Sequence, residues 1–227
     1  HLNVLPHIKN LNSVNEYIKN IPFSESQKNR VPMDLFVLQY LDFKKNGYFV
    51  EFGAANGKYI SNTYLMEKKF GWNGILCEPG NIFQEELKKN RNCIIEKLCV
   101  WNKSNEQLEF IETNIPEHST ITKFSFLDKL GHTRKQGNRY KVSTITLNDL
   151  FEKNKAPYEI DYLSIDTEGT ELEILKSINF EDFDIKIITV EHNFTKKRES
   201  IFNYLIGFGY QRVLENFSLV DDWYIKS

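Results

Sequence analysis

Two acidic residues in this chain stand at the ends of apolar runs that read as buried strands. Tyr48-Phe49-Val50-Glu51-Phe52 leads directly into Gly53-Ala54-Ala55-Asn56-Gly57, and Gly74-Ile75-Leu76-Cys77 ends in Glu78-Pro79. Glycine at 53 lets the backbone turn sharply, and the small residues at 54, 55 and 57 leave main-chain N–H groups open to a ligand. Such a turn suits a nucleoside cofactor. Glu78 would accept hydrogen bonds from both vicinal hydroxyls of a ribose. Glu51, two residues before the first glycine, would face the pyrophosphate of a dinucleotide, where like charges about 4 Å apart at an effective dielectric of about 20 repel by about 4 kcal/mol. The same acid suits the ammonium group of a methionine moiety, so the pair describes a sulfonium nucleoside, S-adenosylmethionine. The plainer alternative is an ordinary strand-to-helix turn with two solvated strand-end charges. The joint occurrence at consecutive strand ends argues for the cofactor.

Those acids need a parallel sheet to bring them to one edge. Short apolar runs at Tyr48 to Phe52, Gly74 to Cys77, Ile94 to Val100, Tyr162 to Ile165 and Ile185 to Val190 alternate with amphipathic stretches, the pattern of β-α units. Ile201 to Ile206 reads as a helix. Tyr210 to Leu214 and Ser218 to Tyr224 read as a closing hairpin around Glu215, Asn216 and Phe217. The fold class is therefore α/β: a Rossmann-like, mostly parallel seven-stranded sheet with helices on both faces and a C-terminal antiparallel hairpin, the usual arrangement of class I methyltransferases. Residues 1–45, with helical spacing over Val14 to Ile18 and Met33 to Phe43, are expected to form a helical lead-in packed on a single domain spanning 46–227. Thr113 to Tyr140 is polar and irregular and is expected to be a substrate-covering loop.

Composition narrows the function class. Lys and Arg number 29 against 31 Asp and Glu, a net charge of −2, which gives no global field toward nucleic acid or anionic lipid. No apolar run approaches the roughly 20 residues needed to span a bilayer, and no charged segment followed by an apolar stretch opens the sequence, so the expected location is cytoplasmic. Of the three cysteines, Cys77, Cys93 and Cys99, none forms a CxxC pair, which argues against a metal or disulfide framework. The expected partner is a small molecule. Self-association into a homo-oligomer is left open.

The wording Val50-Glu51-Phe52-Gly53-Ala54-Ala55-Asn56-Gly57, then Ser61-Asn62-Thr63-Tyr64 and Gly71-Trp72-Asn73-Gly74-Ile75-Leu76-Cys77-Glu78-Pro79, resembles the FkbM-type methyltransferases. Asp161 to Leu175, through Asp166-Thr167-Glu168-Gly169, resembles that family's fourth strand and the helix after it, and Thr189-Val190-Glu191-His192-Asn193 resembles its fifth strand end. The resemblance runs from about Tyr48 to Tyr224. It implies S-adenosylmethionine as donor and O-methylation of a small molecule, often a sugar of a glycan or natural product. It also implies cofactor contacts at Glu51, Gly53, Ala55, Asn56, Gly57, Ser61, Asn62, Glu78 and Asp166, with Leu98 and Cys99 near the adenine.

Methyl transfer to a hydroxyl requires a group that takes the acceptor's proton, or a metal. Asp166 and Glu168 follow one strand, and Glu191, His192 and Asn193 follow the next. His192 or Asp166 is the expected general base, and Glu168 and Asn193 are expected to orient acceptor hydroxyls. For His192 the alternative is a strand-end histidine bonded to a loop carbonyl. No metal is expected in this reading; the alternative is Mg2+ held by Asp166 and Glu191, completed by Asn193 or water. In the long loop, His118 and Ser119 are candidate acceptor contacts. The basic run His132-Thr133-Arg134-Lys135 with Arg139 could meet a nucleotide-linked sugar or be a solvated face. Two other readings stay open, an NAD-dependent Rossmann oxidoreductase and a non-catalytic methyltransferase-like binding domain.

Overall fold

The computed structural model describes residues 33–115, 118–124, 132, 134–216 and 218–227. The helix expected over Val14 to Ile18 lies outside them. After helix α1 (Met33–Tyr40), strands β1 (Tyr48–Phe52) and β2 (Asn73–Cys77) flank α2 (Tyr64–Phe70), and α3 (Gln84–Asn90) leads to β3 (Ile94–Glu96). The middle of the chain forms β4 (Cys99–Val100), β5 (Gln107–Glu112), β6 (Thr120–Ile121) and β7 (Asn138–Ile145). Helix α4 (Leu147–Lys153), β8 (Glu159–Ile165), α5 (Glu171–Leu175), β9 (Asp184–Glu191) and α6 (Lys197–Ile206) follow, then β10 (Tyr210–Val213) and β11 (Asp221–Lys226).

The main sheet has seven strands in the order β10-β11-β9-β8-β1-β2-β3. From β9 to β3 the pairs are parallel, and β11 is antiparallel to both β9 and β10. The expected architecture is therefore present. Strand alternation supplies both faces of the core. Val50, Phe52, Leu163, Ile165, Ile188 and Val190 pack against Leu150 and Phe151 of α4, Ile174 of α5 and Leu205 of α6. Phe49, Leu76, Tyr162, Ile187 and Trp223 face the opposite layer, built by Val37 and Leu38 of α1, Met66 and Phe70 of α2 and Leu87 of α3. Burying a side chain of this size stabilises by roughly 1.5–3 kcal/mol. The described part of the lead-in thus belongs to the core: Phe36 stacks on Trp223 with ring centroids 4.6 Å apart.

Three expectations about elements change. The run Ile94 to Val100 is two strands, because β3 continues the main sheet beside β2 while β4 leaves it to pair with β7. The polar stretch Thr113 to Tyr140 is not loop throughout, since it contains β6 and the start of β7, which belong to a second sheet ordered β4-β7-β5-β6. The last strand begins at Asp221, not Ser218.

At the centre of the main sheet, β1 and β8 run in register to Phe52 opposite Ile165 and then meet closely. Gly53 has φ +75°, and a Cβ built there would lie 1.9 Å from the carbonyl oxygen of Asp166. Any side chain would both strain the backbone and push the two strand ends apart. Gly53→Ala is expected to destabilise the fold by about 2–4 kcal/mol, from the left-handed penalty plus overpacking; a urea midpoint equal to the parent's would refute this account of the turn.

Candidate functional site

A cavity of about 480 Å³ opens at the carboxyl ends of β1, β2, β8 and β9. That volume lies in the range of about 300–1,000 Å³ common for small-molecule sites, and the position is where ligands bind in open α/β sheets. Its floor is the turn after β1, with Phe52, Gly53 and Ala55, and its sides include Glu78 and Pro79 after β2 and Leu98, Cys99 and Val100 after β3. Asp166, Thr167 and Glu168 after β8 and Glu191 and Asn193 around the end of β9 close the far side.

Glu78 is buried, and its carboxylate fixes the turn: Ala55 N donates to Oε2 at 3.0 Å and Gly80 N donates to Oε1 at 2.8 Å. Each oxygen can accept again, so capacity for a ligand's hydroxyls remains on the cavity side. Burial pushes this carboxyl up to about 7, against the pull of those two N–H donors, and the nearby charges of Glu112 and Asp166 add to the rise.

The second sheet forms the roof. Phe110 of β5, Thr120 and Ile121 of β6, and His118 and Ser119 just before β6 all line the cavity. Two ties hold the roof down. Glu112 Oε1 accepts from Ile82 N and from the Tyr140 hydroxyl, which in turn accepts from Asn81 N. On the other side Thr120 Oγ1 donates to the Glu168 carbonyl at 3.1 Å, and the fully buried Arg134 donates to the His118 carbonyl at 2.7 Å and to Glu168 Oε2 at 3.1 Å.

The sequence matches a family model, the Methyltransferase FkbM domain, over residues 51–222, which is most of the chain and includes every strand end that lines the cavity. The chain belongs to the FkbM methyltransferase family. Its fold is also that of the crystal structure of Methyltransferase FkbM from Methylobacillus flagellatus KT, at 14% identity and a TM-score of 0.54. That alignment covers 86% of this chain and 48% of the Methylobacillus chain, so the present chain spans about half the length of that relative. A weaker superposition, TM-score 0.44 at 9% identity, is with Precorrin-6y C5,15-methyltransferase from Geobacter metallireducens GS-15, over 92% of this chain and 95% of that one. No curated protein matches the sequence.

Within this FkbM domain the residues expected from sequence divide into two groups. Gly53, Ala55, Glu78, Leu98, Cys99, Asp166, Glu168, Asn193, His118 and Ser119 line the cavity. Glu51, Asn56, Gly57, Ser61, Asn62 and His192 are not among its lining residues. For Glu51 the reason is strand alternation: it shares the β1 face of Phe49, opposite Phe52. Its buried carboxylate accepts from Ser61 Oγ at 2.8 Å, Asn62 N at 2.7 Å and Thr63 Oγ1 at 2.5 Å, with Arg91 3.7 Å away. Arg91, itself fully buried, also donates to Ser61, Thr63, the Gly57 carbonyl and Glu67. Glu51 and Arg91 therefore brace the segment behind the turn from below. In the same way Asn56 turns its amide oxygen back to Lys58 N and Tyr59 N.

His192 lies away from the cavity lining. Its Nδ1 accepts from Phe194 N at 3.0 Å, and its Nε2 lies 3.6 Å from Asp222, so the ring faces β11. Burial lowers its pKa despite that carboxylate. Arg134 is buried against Glu168, whereas Arg139 lies on β7 and pairs with Glu109 at the surface. Sequence reasoning missed Phe110 and Ile121. The signal was there: Leu108, Phe110 and Val142 alternate with polar neighbours at the strand period of two.

Glu78 gives a pH signature. Its pKa is raised in the fold from the usual 4.5 to about 7, so its contribution to stability is fully present below about 4.5 and is lost as pH rises through about 7. Urea unfolding between those limits should show this downward component, and Glu78→Gln should remove it; an identical pH slope in parent and variant would contradict the assignment.

Proposed function

We propose that this chain is an S-adenosylmethionine-dependent O-methyltransferase whose acceptor is a small molecule, a hydroxyl of a sugar or nucleotide-activated sugar. One observation carries the donor reading: in an FkbM domain, a buried carboxylate at the end of β2 holds the turn after β1 and keeps acceptor capacity toward a cavity of small-molecule size. Glu78 would hold the ribose diol, the Gly53 to Ala55 turn, whose Gly53 and Ala55 N–H groups are spent on Cys77 O and Glu78, would flank the nucleoside by close backbone approach, and Leu98, Cys99 and Val100 would cover the adenine. Bound there, the donor supplies a methyl group on a positively charged sulfur. Glu51 acts in this reading through the segment it braces.

The acceptor reading rests on the chemistry of the far wall. Asp166, Glu168, Asn193, His118 and Ser119 offer carboxylate, amide, imidazole and hydroxyl groups to one hollow, a set suited to a ligand rich in hydroxyls. Asp166 takes the role of general base, accepting the acceptor's hydroxyl proton on a carboxylate oxygen, because it lines the cavity and His192 does not. A cytoplasmic location fits three cysteines that are all free thiols, and no helix among the described residues is long and apolar enough to cross a membrane.

Calorimetry with S-adenosylhomocysteine tests the donor, with NAD+ as comparator. The homocysteine ligand should bind and NAD+ should not, and Glu78→Gln should weaken binding by roughly 10–100-fold through lost charge-assisted hydrogen bonds. Absence of binding to folded protein, or preference for NAD+, would overturn the reading. With an acceptor identified by screening nucleotide-activated sugars, Asp166→Asn should lower turnover by roughly 100-fold or more while S-adenosylhomocysteine still binds.

A further inference from the structure

Beside the nucleoside end of the cavity lies a second chemical feature. Asp166, Glu168 and Glu191 bring carboxylate oxygens within 4.8 Å of one another. Two of the three come from the β8 turn and one from the end of β9, and all three line the cavity. Acidic clusters at surfaces are common, and proximity alone assigns nothing. The decisive residue is Glu191. It is 4% exposed, it lines the cavity, and no hydrogen-bond donor reaches its carboxylate among the described residues.

A carboxylate taken out of water without a partner is costly, and this one has further acids around it. Glu171 and Asp221 are buried close by, although Glu171 is satisfied locally by Thr167 and Gly169. Arg134 contributes one positive charge, at Glu168. A proton or a cation at Glu191 offsets that cost.

We infer that Asp166, Glu168 and Glu191 form a binding site for one hard divalent cation of the Mg2+ or Mn2+ type, open to the cavity. The donor set is oxygen only, with neither imidazole nor thiolate, which selects such ions over Zn2+ or Cu2+. A cation about 2.1–2.6 Å from each oxygen spans separations of this size, and Mg2+ keeps several positions for water or ligand oxygens. Arg134 pairs with Glu168 Oε2, and it ties the segment before β6 to the site through the His118 carbonyl. Cation binding depends on these side chains alone. Its use, to hold adjacent acceptor hydroxyls against the wall opposite Glu78, rests on the methyltransferase reading.

The test is Mn2+ titration of the full chain in chelator-treated buffer, followed by electron paramagnetic resonance, with Mg2+ as competitor. Parent protein should bind one Mn2+ per chain, displaced by Mg2+. Glu191→Gln and Asp166→Asn should each weaken that binding on the order of 100-fold, as loss of one charged ligand in three implies. Two variants guard against one failing to fold. Absence of binding by the parent, or binding unchanged in both variants, would overturn the site. So would a Glu191→Gln protein that is more heat-stable than the parent while the parent's melting temperature does not respond to Mn2+, since the cluster then carries a shared proton instead. S-adenosylhomocysteine binding measured in EDTA separates the two proposals: its loss strikes the donor reading, and its persistence leaves the Mn2+ result to decide the cation site.

Discussion

The site depends on a contact that only a hydrogen atom permits. At Gly53 the chain leaves β1 with φ +75° and passes so close to the Asp166 carbonyl that no Cβ fits between them. That approach lets two neighbouring parallel strands end at the same height and turn outward together. Glu78 follows β2 at that height and fastens the turn through Ala55 N. Asp166, Glu168 and Glu191 complete the rim from the other side. Backbone packing therefore comes first, and the acids inherit their places from it.

Much of this was legible in the sequence because buried parallel strands are nearly continuous apolar runs. Val50 to Phe52, Ile75 to Cys77, Leu163 to Ile165 and Ile187 to Val190 carry that pattern, and each ends at an acid or a glycine that lines or supports the cavity. What was harder is the direction in which a strand-end side chain points. Glu51 is read in a cofactor motif, yet its neighbour Phe52 takes the cavity face and Glu51 goes to the layer beneath. His192 sits next to Glu191 in sequence, but one residue past the strand end its ring has turned to Asp222. Position along the chain fixes the height of a residue at the sheet edge; only the three-dimensional course of the turn decides its side.

The second sheet illustrates a different limit. Its strands alternate polar and apolar residues because one side is wet, so β5 and β7 look like charged surface unless the period of two is counted. Yet this sheet supplies the roof, and the turn leading into β7 supplies the buried Arg134. A polar segment that would otherwise be free to leave is held by Thr120 and Arg134 to the turn carrying Glu168, and by Glu112 and Tyr140 to the segment after Glu78. Both walls of the cavity are thus linked over the top as well as through the floor. Backbone at Glu168 and Asn193 takes positive φ without glycine, a strain that persists only where surrounding structure fixes it.

The place of β11 in the main sheet also governs how the molecule can assemble. β10 precedes it in the chain, but β11 lies between β10 and β9. Until β11 arrives, β10 has no neighbour to join and the long apolar flank of β9 stands open, an edge able to pair with another chain. Trp223, carried by β11, also provides the surface on which Phe36 of α1 settles. The sheet is therefore not completed in chain order. The Phe36–Trp223 contact and the β9–β11 pairing join segments far apart in sequence, the kind of non-local contact that slows folding.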